Sequence, residues 1–151
     1  MQKYFPGCKI IYMVRNPLEV VPSMIHMARE IWRSTISFDP NQAFQVKMYE
    51  ILKYYYTYPL QQLEAGPHKD YMLIRYDDLV RYPEKTIHVA YQRFGLRLST
   101  EFLSILKQEG QIAKAYTSSH RYSIDDTHLT KERIVSDLRD IYDRFEFDSS
   151  L

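Results

Sequence analysis

One cysteine and four glycines in 151 residues leave little room for several kinds of protein. A lone Cys8 excludes an internal disulfide framework and fits a reducing compartment. The glycines, at positions 7, 66, 95 and 110, never cluster, so no glycine-rich phosphate-cradling loop can be read from the chain. Excess charge is missing too. Lys and Arg number 20 against 19 Asp and Glu, a net of +1, so no global basic field points to nucleic acid or an anionic membrane. No apolar stretch is long enough to span a bilayer, and no signal peptide precedes the first apolar run. The histidines lack metal-ligand spacing. What is abundant is tyrosine, with 14 residues, in a chain long enough for one domain with a real core.

The most informative stretch lies near the start. Lys9-Ile10-Ile11-Tyr12-Met13-Val14 is an apolar run without alternation, which reads as a strand buried on both faces of a parallel sheet. Arg15 comes next, at the strand's carboxyl end, where open α/β sheets bind ligands. Asn16 suits a helix cap and Pro17 the first turn after it. With Ser23 nearby, a fixed cation beside free backbone N–H groups and a hydroxyl is a reasonable seat for a phosphate.

Downstream, Val20, Val21, Met24, Met27, Ala28, Ile31 and Trp32 recur at helical spacing, with Pro22 expected to bend that helix or delay its start to near Ser23. A long helix is expected from about Asn41 to Glu64, with Pro59 a candidate break and Ala65-Gly66-Pro67 its end. Tyr71 to Tyr76 is the other good strand candidate, and two strands amount to only part of a sheet. An amphipathic helix opens at Tyr82-Pro83-Glu84 and stops at Gly95; a short one runs from Ser99 to near Gly110. Gln111 to Asp126 reads as a loop. Thr130 then caps a final helix carrying Ile134, Leu138, Ile141, Tyr142 and Phe145.

Three segments, in order, resemble the C-terminal half of a sulfotransferase, in the broad bacterial-type branch of a family using 3′-phosphoadenosine 5′-phosphosulfate (PAPS). Tyr4-Phe5-Pro6-Gly7-Cys8-Lys9 through Arg15-Asn16-Pro17, with Ser23, is similar to the strand and helix that hold the nucleotide's 3′-phosphate. Ile74-Arg75-Tyr76-Asp77-Asp78-Leu79-Val80 with Pro83-Glu84 resembles a second strand end. Ser119-His120-Arg121-Tyr122-Ser123-Ile124, with Leu129 and Ile134 beyond it, resembles the family's tail motif.

The implied fold is α/β, a partial three-layer α/β/α arrangement with a parallel sheet. It resembles the P-loop nucleotide-binding sulfotransferase fold without its N-terminal phosphate-loop portion, and its C-terminal part is helix-rich. The family's phosphate loop and acid/base residue would fall before Met1. The resemblance therefore implies that residues 1–151 are a single truncated domain, a fragment or degenerate copy with feeble activity of its own.

The resemblance implies that Arg15 and Ser23 hold the 3′-phosphate; without it, they read as a surface ion pair and a helix-face serine. Tyr76 would lie against the adenine, or else be a half-buried core tyrosine. His120 and Arg121, with Lys114, Ser118 and Ser119, would form a flap over the phosphate, or simply a solvated loop. Asp77 and Asp78 read as capping or salt-bridging groups. Tyr54, Tyr55, Tyr56 and Tyr58 read as a helix face packed on the sheet rather than an acceptor pocket.

The implied activity is sulfuryl transfer from PAPS, without a metal, to a hydroxyl or amine on a small-molecule, carbohydrate or peptide acceptor. No catalytic residue is assigned. Neither nucleic acid nor a membrane segment is expected, the default location is cytoplasmic, and oligomeric state is open. A non-catalytic nucleotide-binding or packing remnant, or another P-loop-type nucleotide transferase, are the competing readings.

Overall fold

The computed structural model describes residues 4–36, 42–66, 70–115 and 122–150. Contacts divide the chain into two compact units, one built from Met1–Val14 and Leu63–Ser119, the other from Arg15–Gln62 and His120–Leu151.

The first unit is organised on two strands, β1 (Ile10–Val14) and β2 (Tyr71–Arg75). They pair in parallel with Ile10 opposite Tyr71 and Val14 opposite Arg75. Lys9 Nζ reaches Asp70 Oδ1 at 2.8 Å and Ile10 N–H donates to Asp70 O at 3.0 Å, which sets the register at the open end. Val14 and Ile74 are both buried near the other end, on opposite faces of the pair. Three helices complete the unit: α3 (Tyr76–Arg81), α4 (Pro83–Arg93) and α5 (Thr100–Ala115). Pro83 opens α4, where its missing N–H costs nothing. Gly95, at φ +66°, ends it in a left-handed conformation that a side chain would strain.

One strand expectation fails. Ile11 and Met13 are 47% and 43% exposed, so β1 is buried on one face only. An unbroken apolar run records what a strand can tolerate on both sides; the face carrying these two residues is covered at Ile74 of β2 but left open over β1. Helix α5 also continues past Gly110 to Ala115, because a single glycine costs a helix only about 1 kcal/mol.

The second unit contains α1 (Pro17–Ile36), α2 (Gln42–Ala65), a 3₁₀ turn at Ile124–Asp126, α6 (Lys131–Asp137) and α7 (Arg139–Phe145). Helix α1 begins at Pro17 rather than near Ser23 and runs through Pro22, and Pro59 does not break α2. An interior proline costs about 3 kcal/mol, whereas burying one large aliphatic side chain returns about 1.5–3 kcal/mol. Leu18, Val21 and Ile25 are all buried around Pro22, and Tyr56 and Leu60 around Pro59. Burial wins. The anticipated final helix is instead two, parted at Leu138, which is itself buried.

Helix α2 buries the stripe Gln45, Tyr49, Leu52, Tyr56 and Leu60. Tyr54, Tyr55 and Tyr58 lie on the other side and are exposed, which corrects the packed-face reading for those three. Only Tyr56 of that run turns inward. Buried Gln45 accepts the His128 N–H through Oε1 at 3.1 Å, tying the segment before α6 to α2.

Among the described residues, the most connected buried polar group is Asn16, 3% exposed. Its Oδ1 accepts the Leu18 N–H at 3.0 Å and the Tyr142 hydroxyl at 3.1 Å, and its Nδ2 donates to Asp148 O at 2.8 Å. One side chain thereby caps α1 and holds α7 and the C-terminal segment against it. Asn16→Ala removes the cap and strands a buried phenol and a carbonyl. The expected loss of unfolding free energy in urea is about 2–4 kcal/mol.

Burial pushes the Tyr142 hydroxyl pKa up to about 12. The folded value lies above the unfolded one near 10, so this contribution is complete below about pH 10 and is lost as pH rises through about 12. Tyr142→Phe is expected to flatten part of the fall in stability across that window, measured by urea unfolding at stepped alkaline pH.

Candidate functional site

The start of α1 is where sequence and geometry meet. Arg15 lies between β1 and α1, and its carbonyl accepts the Tyr56 hydroxyl at 2.8 Å. Asn16, the next residue, is fixed by its bonds to Tyr142 and Asp148. The backbone under Arg15 is therefore held from both sides by buried or part-buried hydrogen bonds, while its side chain is 47% exposed.

Arg15 Nε meets Glu19 Oε2 at 2.5 Å, an i,i+4 ion pair that reaches from just before α1 to its first turn. Exposed pairs of this kind add little stability, and the carboxylate gains from the helix's positive end. The surface ion pair weighed in the sequence is thus present. Ser23, half-buried, lies in α1 one turn beyond Glu19, whereas Arg15 precedes the helix.

The free helix N–H groups expected here are not free. Leu18 N–H donates to Asn16 Oδ1, and Glu19 and Val20 N–H both donate to Asn16 O, at 3.0 and 3.1 Å. Asparagine at the cap consumes the donors that a phosphate would otherwise use.

Tyr76 falls in the first unit, as the first residue of α3 directly after β2, and is half-buried. Beside it, Arg75 pairs with Asp77 at 3.4 Å, and Asp78 O accepts the Thr86 hydroxyl at 3.1 Å, so Asp77 salt-bridges as expected. His120, Arg121, Ser118 and Ser119 lie outside the described residues, as does the side chain of Lys114. The segment from Tyr122 onward is ordered by Ser123, whose hydroxyl accepts the Asp125 N–H in a capping box with Asp126, and by a His26–Tyr122 ring contact at 4.9 Å.

A second charged cluster surrounds Tyr49. Lys53 Nζ and the Arg133 guanidinium lie 5.2 and 5.5 Å from its ring centroid, and Lys53 bridges Glu50 at 2.9 Å and Asp137 at 3.3 Å. Burial first, then the Asp137 carboxylate, drives the Tyr49 phenol pKa well upward and keeps it neutral. This cluster joins α2 to α6 and reads as structural.

Sequence reasoning missed Tyr56, Tyr142 and Glu19. Glu19 was legible as the i,i+4 partner of Arg15. Tyr56 shares helical spacing with Leu52 and Leu60, which separates it from its exposed neighbours. Tyr142 bonds across 126 positions, and nothing local in the sequence announces that.

Comparison with known proteins gives these residues a context. The sequence model of the Sulfotransferase family matches residues 1–100, which include both the Arg15 corner and the Tyr76 strand end. The omega-hydroxy-beta-dihydromenaquinone-9 sulfotransferases Stf3 of Mycobacterium bovis and Mycobacterium tuberculosis are each 31% identical over 95% of this chain. The chain spans 37% of the length of those relatives. The crystal structure of sulfotransferase STF9 from Mycobacterium avium superposes with a TM-score of 0.82 at 16% identity, over 97% of this chain and 38% of that one. The fold is that of a sulfotransferase, with its small parallel sheet and many helices, and the chain belongs to the sulfotransferase family.

Proposed function

We propose that this chain provides the part of a PAPS-dependent sulfotransferase that holds the nucleotide's 3′-phosphate, in an enzyme that moves a sulfuryl group to a hydroxyl or amine acceptor. The observation that supports it most is Arg15, an exposed guanidinium on backbone pinned by Tyr56 and Asn16 just before α1, the helix that carries Ser23. A planar fork and a hydroxyl suit a phosphate, and the occupied N–H groups leave recognition to them. Tyr76 is assigned to the adenine, and His120 and Arg121 to a loop over the phosphate. Residues 1–151 are assigned to one catalytic domain.

In the reaction, the acceptor oxygen or nitrogen bonds to sulfur as the bond from sulfur to the 5′-phosphate oxygen breaks. Adenosine 3′,5′-bisphosphate leaves with the electron pair, and the acceptor's proton passes to a base outside the assigned residues. Arg15 contributes by fixing the far end of the donor, so that remote binding energy aligns the reacting end. No metal is assigned, since a sulfuryl group carries less charge to neutralise than a phosphoryl group. The Stf3 relatives are named for a hydroxylated quinone, which favours a hydroxyl on a small molecule as the acceptor group. A reducing, cytoplasmic setting fits the single thiol.

Arg15→Ala is expected to weaken adenosine 3′,5′-bisphosphate binding by about 1.5–3 kcal/mol, measured by isothermal calorimetry on the same chain. Unchanged affinity would remove Arg15 from the phosphate site.

A further inference from the structure

The first unit contains a cavity of about 370 Å³ that the sulfotransferase reading does not use. Three cations line it, each from a different helix: Arg81 closes α3, Lys85 lies in the first turn of α4, and Lys107 projects from α5. None of the three side chains has a carboxylate partner among the described residues. Among the described residues of the lining Glu84 is the one acid, so these walls carry a formal charge of +2.

The frame under these cations is well packed. Gly110 is buried so closely that a Cβ there would stand 3.2 Å from Pro83 Cγ, which brings α5 onto the start of α4. Tyr91 of α4 stacks on Phe102 of α5 at 5.5 Å. The buried Thr86 hydroxyl reaches Asp78 O and Tyr82 O, at 3.1 and 2.9 Å, and fixes the corner between α3 and α4. Like charges brought around one space by rigid elements repel unless an anion sits among them. Tyr82 gives α4 no side-chain cap, so the helix end adds positive potential to what the three side chains supply.

We propose that this cavity is a binding site for a phosphate or sulfate ester. A dianionic monoester matches the +2 lining, Arg81 can take two of its oxygens at once, and the lysines act as point charges. The volume lies within the range of small-molecule sites and leaves room for the organic part of the ester. The ester can come from a soluble metabolite or from a lipid headgroup.

Titration of the chain with glycerol 3-phosphate, monitored by ¹H–¹⁵N NMR, is expected to move the Lys85, Gly110 and Gln111 amides saturably. The Arg81→Ala/Lys107→Ala double substitution is expected to weaken that binding about tenfold. Co-sedimentation with phosphatidate-containing vesicles, against pure phosphatidylcholine, separates the sources. Retention by phosphatidate that the double substitution abolishes assigns a lipid headgroup; shifts with the soluble ester and no retention assign a free one. The three residues are exposed, and circular dichroism checks that the substituted chain folds. Neither saturable shifts nor vesicle retention, or equal binding by the substituted chain, overturns the proposal.

Discussion

A single buried amide, the side chain of Asn16, determines much of what this chain can do. It satisfies the first turn of α1, the phenol of Tyr142 and the carbonyl of Asp148 at once. Buried polar groups are tolerable only when every partner is supplied, and fully supplied networks hold their elements in one arrangement. The consequence falls on the residue next door. Arg15 has an exposed guanidinium on a backbone that cannot wander, because Tyr56 also holds its carbonyl. Binding at such a site loses less conformational freedom, which is what preorganisation means in energetic terms.

The same amide changes how an anion can be recognised. Helix N-termini bind phosphates through unpaired N–H groups, but Asn16 and its carbonyl take up those of residues 18, 19 and 20. The helix is stabilised and its end is closed to ligands. Under the proposed reading, recognition rests on long side chains, where geometry is set by the guanidinium fork and can be contested by Glu19. The cavity beside α4 is the reverse case, with an end that no side chain caps and three cations from separate helices around it.

Much of this is legible in the sequence. The Asn16-Pro17 cap, the turn at Gly95, the Thr130 cap and both strands are readable from local chemistry, since each depends on a few adjacent residues. The errors have one physical source. Pro22 and Pro59 are breakers on local chemistry alone, yet the buried neighbours that override them are chosen by tertiary packing. Ile11 and Met13 read as inward because they are apolar, but burial depends on what covers a strand. At the proposed site, Arg15 and Ser23 are singled out together by the family resemblance; the partners that fix Arg15 lie 41 and more positions away. Residues 116–121, which carry His120 and Arg121, lie outside the described structure.

A guanidinium on firmly held backbone that meets a nucleotide phosphate is the central claim. Its most direct test is ¹H–¹⁵N NMR of the Arg15 Nε–H and the Asn16 side-chain amide during titration with adenosine 3′,5′-bisphosphate. The predicted result is a saturable shift of the Arg15 signal as Glu19 gives way to phosphate, with the Asn16 amide staying hydrogen-bonded throughout. An Arg15 signal that never moves while other parts of the chain respond would contradict it.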